Sequence, residues 1–296
     1  MSRFAIAAVQ LQLSNQDNRS LIEQHIRRVR RRFPWVQMVV LGELATRGAD
    51  PAAATVLSTG ADPASDGIVP FYAALARDTG LWLVPGSVYE RAGQATYNTA
   101  LVFNPAGELV RRYRKMFPFC PYETGVTPGA EFCTFDVDGV GRFGLSICYD
   151  QWFPETSRNL AWLGAEVILC PTMTNTIDRD LELSLARANA ITNQCYFFNV
   201  NMAGELGNGR SIIVGPDGQI LHQAGELHEV MPVEIDLAHV RRVRERGVFG
   251  LCQTLKSFRD STMPLPAFDL PGRGQGALAE LGALRMPPRE GEPQLD

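Results

Sequence analysis

Apolar positions along this chain fall into unbroken runs, two-residue alternations and helical stripes, and each pattern predicts an element. The run RFAIAAVQL, from Arg3, predicts a strand buried on both faces, and VQMVVLGE predicts a second that ends on the acid Glu43. Between them Ile22, Ile26, Val29 and Phe33 recur at helical spacing, predicting a helix over 18–33. Its other face carries five arginines between Arg27 and Arg32, a solvated face rather than an anion site. IVPFYAALARDTG reads as a helix closed by Gly80, and LWLVPGSVYE and YNTALVFNPAGELVRRY read as strands with NPAGE as a hairpin turn.

The second half repeats the mixture. EFCTFDVDGVGRFGLSICYD predicts a hairpin turning at DGVG, and FPETSRNLAWLGA a helix with Pro154 in its first turn. EVILCPT is a strand and DLELSLARANAITNQ a helix. CYFFNVN, RSIIVGP and HEVMPVEIDL are strands, GPDGQ is a turn, and a last helix is expected near 236–246. Helices alternate with strands, yet antiparallel hairpins are interleaved. This predicts an α/β fold with two mixed sheets packed face to face and layered with helices. From about residue 262 the composition shifts to Pro and Gly. Residues 1–261 are therefore expected to form the domain and 262–296 an extended tail.

Composition narrows the function classes. The 296 residues carry 28 Lys and Arg against 32 Asp and Glu, a net charge of −4, which offers no reason to expect nucleic acid. No apolar run reaches the roughly 18 residues of a membrane span, and the N-terminal run is too short for a signal peptide. A cytoplasmic protein with no membrane partner is expected. The six cysteines are scattered, with no CxxC pair and no metal-ligand spacing, so most read as small buried hydrophobes and no cofactor is expected.

Three reactive residues stand where a strand gives way to a loop. Glu43 ends MVVLGE, Lys115 follows LVRRYR, and Cys148 ends RFGLSI. Singly, each has an ordinary reading: a solvated carboxylate, a surface lysine, a core cysteine. Cys148 gains weight because YDQWFPE and a helix follow it. A helix N-terminus favours a thiolate, and Gly144 and Ser146, at the same strand parity, leave room beside it. Its base is either a histidine or a carboxylate. His25, His222, His228 and His239 have no loop constellation around them, so a glutamate base is the better supported.

Glu43, Lys115 in YRKMFPF and Cys148 in ICYDQWFPE, in that order, resemble the Glu–Lys–Cys pattern of the nitrilase superfamily, the carbon–nitrogen hydrolases. The resemblance runs from FAIAAVQL to about residue 260. It implies a four-layer α–β–β–α sandwich, a homodimer or higher homo-oligomer, and no cofactor. The loop YRKMFPFCPYETGVTPG looks like that of the aliphatic amidase and formamidase branch, in which a second glutamate, here Glu123, helps position substrate. Lys115 and Glu123 would then stand on opposite sides of a small pocket. The sequence also departs from the family: Gly42 stands where a proline usually precedes the glutamate, Leu44 where the amidases often have an aromatic, and YDQW follows the nucleophile.

The resemblance implies hydrolysis of a small carboxamide to acid and ammonia through a thioester on Cys148. Glu43 would act as base and acid, and Lys115 with the Tyr149 backbone N–H would hold the oxyanion. Phe119, Tyr122, Tyr149, Trp152, Thr172 and Met173 are the expected substrate contacts. N-carbamoyl compounds and nitriles remain as alternative substrates of the same triad, and a catalytically silent scaffold as the non-enzyme alternative.

Overall fold

The computed structural model describes residues 3–60, 66–265 and 284. The tail expected over 262–296 lies, apart from 262–265 and 284, outside the described residues. The first half comprises β1 (Arg3–Gln10), β2 (Gln12–Leu13), α1 (Arg19–Arg32), β3 (Met38–Val40), α2 (Ile68–Thr79), β4 (Trp82–Val84), β5 (Ser87–Ala92), β6 (Ala95–Phe103) and β7 (Leu109–Arg114). The second comprises β8 (Cys133–Val137), β9 (Gly141–Leu145), α3 (Pro154–Trp162), β10 (Val167–Pro171), α4 (Arg179–Asn193), β11 (Tyr196–Val200), β12 (Ala203–Gly204), β13 (Ile212–Val214), β14 (Ile220–Gln223), β15 (Glu229–Asp236), α5 (Leu237–Arg246) and α6 (Thr254–Asp260). Among the described residues no helix is long and apolar enough to cross a membrane.

One sheet runs β15-β1-β3-β4 and continues through β6, with β5 and β7 also on β6; the other runs β14-β13-β11-β10-β9-β8. Strand parity divides the apolar side chains between layers. In β1, Phe4, Ile6 and Ala8 face the other sheet, where they join Phe143, Leu169 and Phe198 in one core. The alternate residues Ala7 and Val9 pack instead with Ile22, Ile26 and Val29 of α1 and with Tyr72 and Leu75 of α2. In β10, Val167 and Leu169 face inward while Ile168 and Cys170 meet Leu160 of α3 and Ala186 and Ala190 of α4. The result is four layers, α–β–β–α. β1 reads as one long apolar run because it pairs on both edges and is covered on both faces.

Two local differences from the sequence pattern matter. The stretch LWLVPGSVYE is two strands, not one. β4 and β5 share one edge of β6 in tandem, through the pairs Leu83–Phe103 and Ser87–Ala100, and the chain breaks at Pro85-Gly86 between them. Proline has no N–H for the ladder, and Gly86 takes φ +78°, closed to most side chains. The short α6 was not expected; Phe258 of α6 meets Trp162 edge-on at 5.7 Å.

Candidate active site

Glu43, Lys115 and Cys148 meet where the ends of β3, β7 and β9 converge. After β3 the chain is held by Leu41 N–H to Val84 O at 2.9 Å and by Glu43 N–H to Thr172 O at 3.1 Å, a bond that ties one sheet to the other. The Leu44 N–H donates to Ser87 Oγ at 3.1 Å. The break at Gly86 makes this path available: a Cβ there would lie 1.7 Å from the Gly42 carbonyl oxygen. Gly42 itself is hemmed in, since a Cβ would meet Met202 Sδ at 2.4 Å. That is a local reason for glycine at this position.

Cys148 opens a short 3-10 turn, Cys148–Trp152, between β9 and α3. Its φ is +43°, left-handed for a residue with a Cβ, which costs on the order of 1–2 kcal/mol. Asp150, fully buried, holds the bend. Its carboxylate accepts from Ile147 N–H at 2.9 Å and Tyr113 OH at 2.7 Å. The other oxygen accepts from Phe117 N–H at 2.9 Å. One side chain thereby ties the cysteine's turn to the loop that follows Lys115. Burial pushes the Asp150 carboxyl up to about 6 despite these donors, so it is mostly ionised at neutral pH. Gly144 does not leave space for a substrate. A Cβ there would meet Leu160 at 3.2 Å, so the room is taken by α3.

Lys115 directly follows β7, its N–H donating to Asn98 O at 2.8 Å. Its ammonium donates to Glu43 Oε1 at 2.8 Å and to Glu123 Oε2 at 2.7 Å. Lys115 and Glu123 are therefore in direct contact, rather than on opposite sides of a pocket as expected; the loop 116–129 folds Glu123 back over the lysine. Glu123 also accepts from Phe119 N–H at 2.6 Å, Asn98 Nδ2 at 3.0 Å and Tyr89 OH at 3.2 Å. Asn98 Nδ2 donates again to Glu43 Oε1 at 2.7 Å, so one amide clamps both carboxylates.

Electrostatics set the resting protonation. Burial opposes the charge on Lys115, but the carboxylates of Glu43 and Glu123 overcome it and hold the ammonium well above its usual range. Burial raises Glu43; Lys115 pulls it back and Glu123 raises it further, leaving it above an ordinary glutamate. Burial would raise Glu123 too, but Lys115 and the loop donors bring it below the usual value. For Cys148, burial and then the charges of Glu43 and Glu182 push the thiol well up, against Lys115 and the Met173 N–H. The raised thiol agrees with the expectation that a base must take its proton. The turn's N-terminus is outweighed by burial and two carboxylates, and the hydrogen-bonded Glu43 is placed to take the proton.

A cavity of about 490 Å³ opens onto the sulfur, lined by Phe119, Tyr122, Tyr149, Trp152, Met173 and polar residues of 174–182. Phe119 stacks on Tyr122 at 4.7 Å and meets Tyr149 edge-on at 4.9 Å, forming one wall. Thr172 is not in the lining. Its hydroxyl turns inward, donating to Cys170 O at 3.1 Å and accepting from Asn199 at 3.1 Å. A second cleft of about 550 Å³, along β7 and β8, contains none of the three reactive residues. Sequence reasoning missed Asn98, Tyr89, Asp150 and Glu182. Asn98 carried a signal, an amide inside a strand that is apolar from Ala100 to Phe103. Glu182, on a helix with charged neighbours, carried none.

The carbon–nitrogen hydrolase family profile matches residues 5–245. Omega-amidase NIT3 of Saccharomyces cerevisiae is 30% identical over 265 residues, 82% of this chain and 90% of that protein. The 2-oxoglutaramate amidase of Bacillus subtilis is 33% identical over 214 residues, 70% of this chain and 81% of that one. The solved structure of Saccharomyces cerevisiae Nit3, a member of branch 10 of the nitrilase superfamily, superposes with a TM-score of 0.75 at 30% identity, covering 82% of this chain and 94% of that one. A mutant of the amidase from Nesterenkonia sp. AN1, bearing the product of Michael addition of acrylamide at its active-site cysteine, superposes with a TM-score of 0.71 at 25% identity, covering 82% and 97%. The chain belongs to the carbon–nitrogen hydrolases of the nitrilase superfamily and is an amide-hydrolysing enzyme.

Proposed function

We propose that this protein hydrolyses a small carboxamide to the acid and ammonia through a thioester on Cys148. The observation that supports this reading most directly is the Lys115 ammonium bridging Glu43 and Glu123, with the Cys148 thiol beside it and a cavity open to the sulfur. Glu43 takes the thiol proton as sulfur attacks the carbonyl carbon. The oxyanion is held by Lys115 and by the Tyr149 N–H, one of the first donors of the 3-10 turn, which lack partners within it. A donor of this kind is worth about 3–4 kcal/mol in the transition state. Glu43 then passes its proton to nitrogen, the C–N bond breaks, and ammonia leaves. Water enters, gives a proton to Glu43 and attacks the thioester; the C–S bond breaks and sulfur recovers the proton. A glutamate with a raised pKa suits both directions of transfer. Glu123 holds the lysine and loop in place and presents a carboxylate toward the amide.

Phe119, Tyr122, Tyr149, Trp152 and Met173 bound the acyl site in this reading, and Thr172 contributes its backbone through Glu43. Six unpaired cysteines support a reducing, cytoplasmic setting. The exposed Trp162, Leu163 and Ile191 on the α3–α4 face support self-association. Ammonia release from a panel of amides, N-carbamoyl compounds and nitriles tests the proposal. Turnover of amides is expected, and silence on the whole panel would leave a scaffold.

A further inference from the structure

Glu182 is a charged group that the catalytic scheme does not use. It lies in the first turn of α4, only 2% exposed, and still lines the cavity beside Cys148. Its two oxygens are placed differently. Oε2 accepts from Arg179 Nη1 at 2.8 Å, with both side chains buried. The same guanidinium donates through Nη2 to the Arg210 carbonyl at 2.7 Å, which fixes it away from the cavity. Oε1 faces the nucleophile, 3.9 Å from Sγ, a long contact to a weak donor. A buried carboxylate oxygen is thus aimed, without a strong donor, at the space where the substrate carbonyl must sit, an arrangement that is costly unless a donor arrives.

The rest of the cavity has a matching character. Asp178 is a second carboxylate in the lining, and Phe119, Tyr122, Tyr149 and Trp152 present aromatic surface. No lysine or arginine lines it among the described residues. An acyl chain ending in a carboxylate would meet two like charges and no partner. A chain bearing an ammonium would meet an acceptor and aromatic faces, which attract cations.

We propose that this cavity selects amides whose acyl chain carries an ammonium group two or three bonds from the scissile carbonyl, with Glu182 Oε1 as its acceptor. The inference rests on the amide-hydrolase reading of the same site and adds the charge of its substrate. The reach follows from the geometry: an atom about 3 Å from Oε1 is only a few bonds from a carbonyl carbon attached to a sulfur 3.9 Å away. The charge also assists the chemistry. Glu182 opposes ionisation of the Cys148 thiol, and a bound ammonium offsets that opposition, so the fitting substrate eases formation of its own nucleophile.

The test compares three amides of similar shape on the full-length protein at neutral pH: butyramide, 3-aminopropanamide and succinamate. Ammonia release should give kcat/KM for 3-aminopropanamide roughly ten- to a hundredfold above butyramide, the scale of one charged hydrogen bond, with succinamate the poorest. Glu182→Gln should close the gap between the amino and neutral amides, whatever its absolute rate. Asp178→Asn, at a partly exposed position, should narrow it. The order of the three substrates on the unmodified protein stands independently of whether either variant folds. Equal rates, or succinamate as the best substrate, would overturn this proposal and leave amide hydrolysis standing. Turnover of none of the three, nor of any other amide in the panel, would overturn the hydrolase reading and this one with it.

Discussion

Replacing Glu123 with glutamine exchanges one oxygen for an NH2 and removes one charge at the centre of the site. The carboxylate accepts four hydrogen bonds, from Lys115, the Phe119 N–H, Asn98 and Tyr89. A carboxamide has a single acceptor oxygen. If that oxygen stays with Lys115 and Phe119, the new NH2 faces Tyr89, whose hydroxyl can turn to accept, and Asn98, whose NH2 cannot. The loss is one hydrogen bond at a charged group, about 1.5–3 kcal/mol. Lys115 keeps Glu43 at 2.8 Å, so the roughly 3–5 kcal/mol of a fully severed buried ion pair is not incurred. If the loss falls on the transition state, kcat/KM drops roughly ten- to a hundredfold. If it falls on the folded state, Tm drops by about 2–4 °C per kcal/mol in a chain of this size. The pH profile separates a role at the site from a loop anchor. Glu43 is raised by burial first, lowered by Lys115 and raised again by Glu123. Removing the Glu123 charge, and leaving Lys115 to Glu43 alone, both lower the pKa of Glu43. The acidic limb of kcat/KM, where Glu43 gains a proton and activity is lost, should therefore move to lower pH. The assay is ammonia release from a good amide across pH 4–9 (on the order of the span set by free glutamate and cysteine values), beside thermal unfolding. A variant with normal kcat/KM and an unmoved limb would refute the reasoning; a lower Tm alone would make Glu123 a loop anchor.

Other substitutions probe the remaining parts. Cys148→Ala should abolish ammonia release while circular dichroism stays native, and with the unmodified protein hydroxylamine should intercept the acyl group as a hydroxamate; residual turnover in the variant would end the covalent scheme. Asn98→Leu leaves both Glu43 and Glu123 short of a donor, so kcat/KM should fall about tenfold or more, at about 1–3 kcal/mol per unmet buried group; unchanged kinetics would mean the clamp does not matter. Gly86→Ala places a Cβ 1.7 Å from the Gly42 carbonyl at φ +78°, so about 2 kcal/mol or more of stability should be lost, read as a lower Tm. Activity at a temperature where the variant is still folded should fall as well, because Gly42 precedes Glu43.

Much of this protein was legible in its local patterns. The apolar runs of β1, β3 and β10, the 3.6-residue stripe of α1 and the hairpin turns are short-range signals, and they led to two mixed sheets layered with helices. Glu43, Lys115 and Cys148 were legible too, because each stands at the end of a strand and their order resembles one family. What the local patterns did not carry lies in contacts between distant segments. Asn98 reaches Glu43 across 55 residues, and Glu182 reaches Cys148 across 34. The folded-back loop sets Glu123 against Lys115 itself, where a position across the pocket was expected. The break at Pro85-Gly86, two small residues inside an apolar stretch, shows its purpose only when the Gly42 carbonyl is seen against it. The protonation of the nucleophile was decided in the same way. The strand-to-helix turn is a local feature that favours the thiolate, but desolvation and the charges of Glu43 and Glu182 raise the thiol's pKa against it. Strand and helix periodicity is written in neighbouring residues. Burial and the field of charges exist only once the sheets close over one another, and these determine which proton sits where.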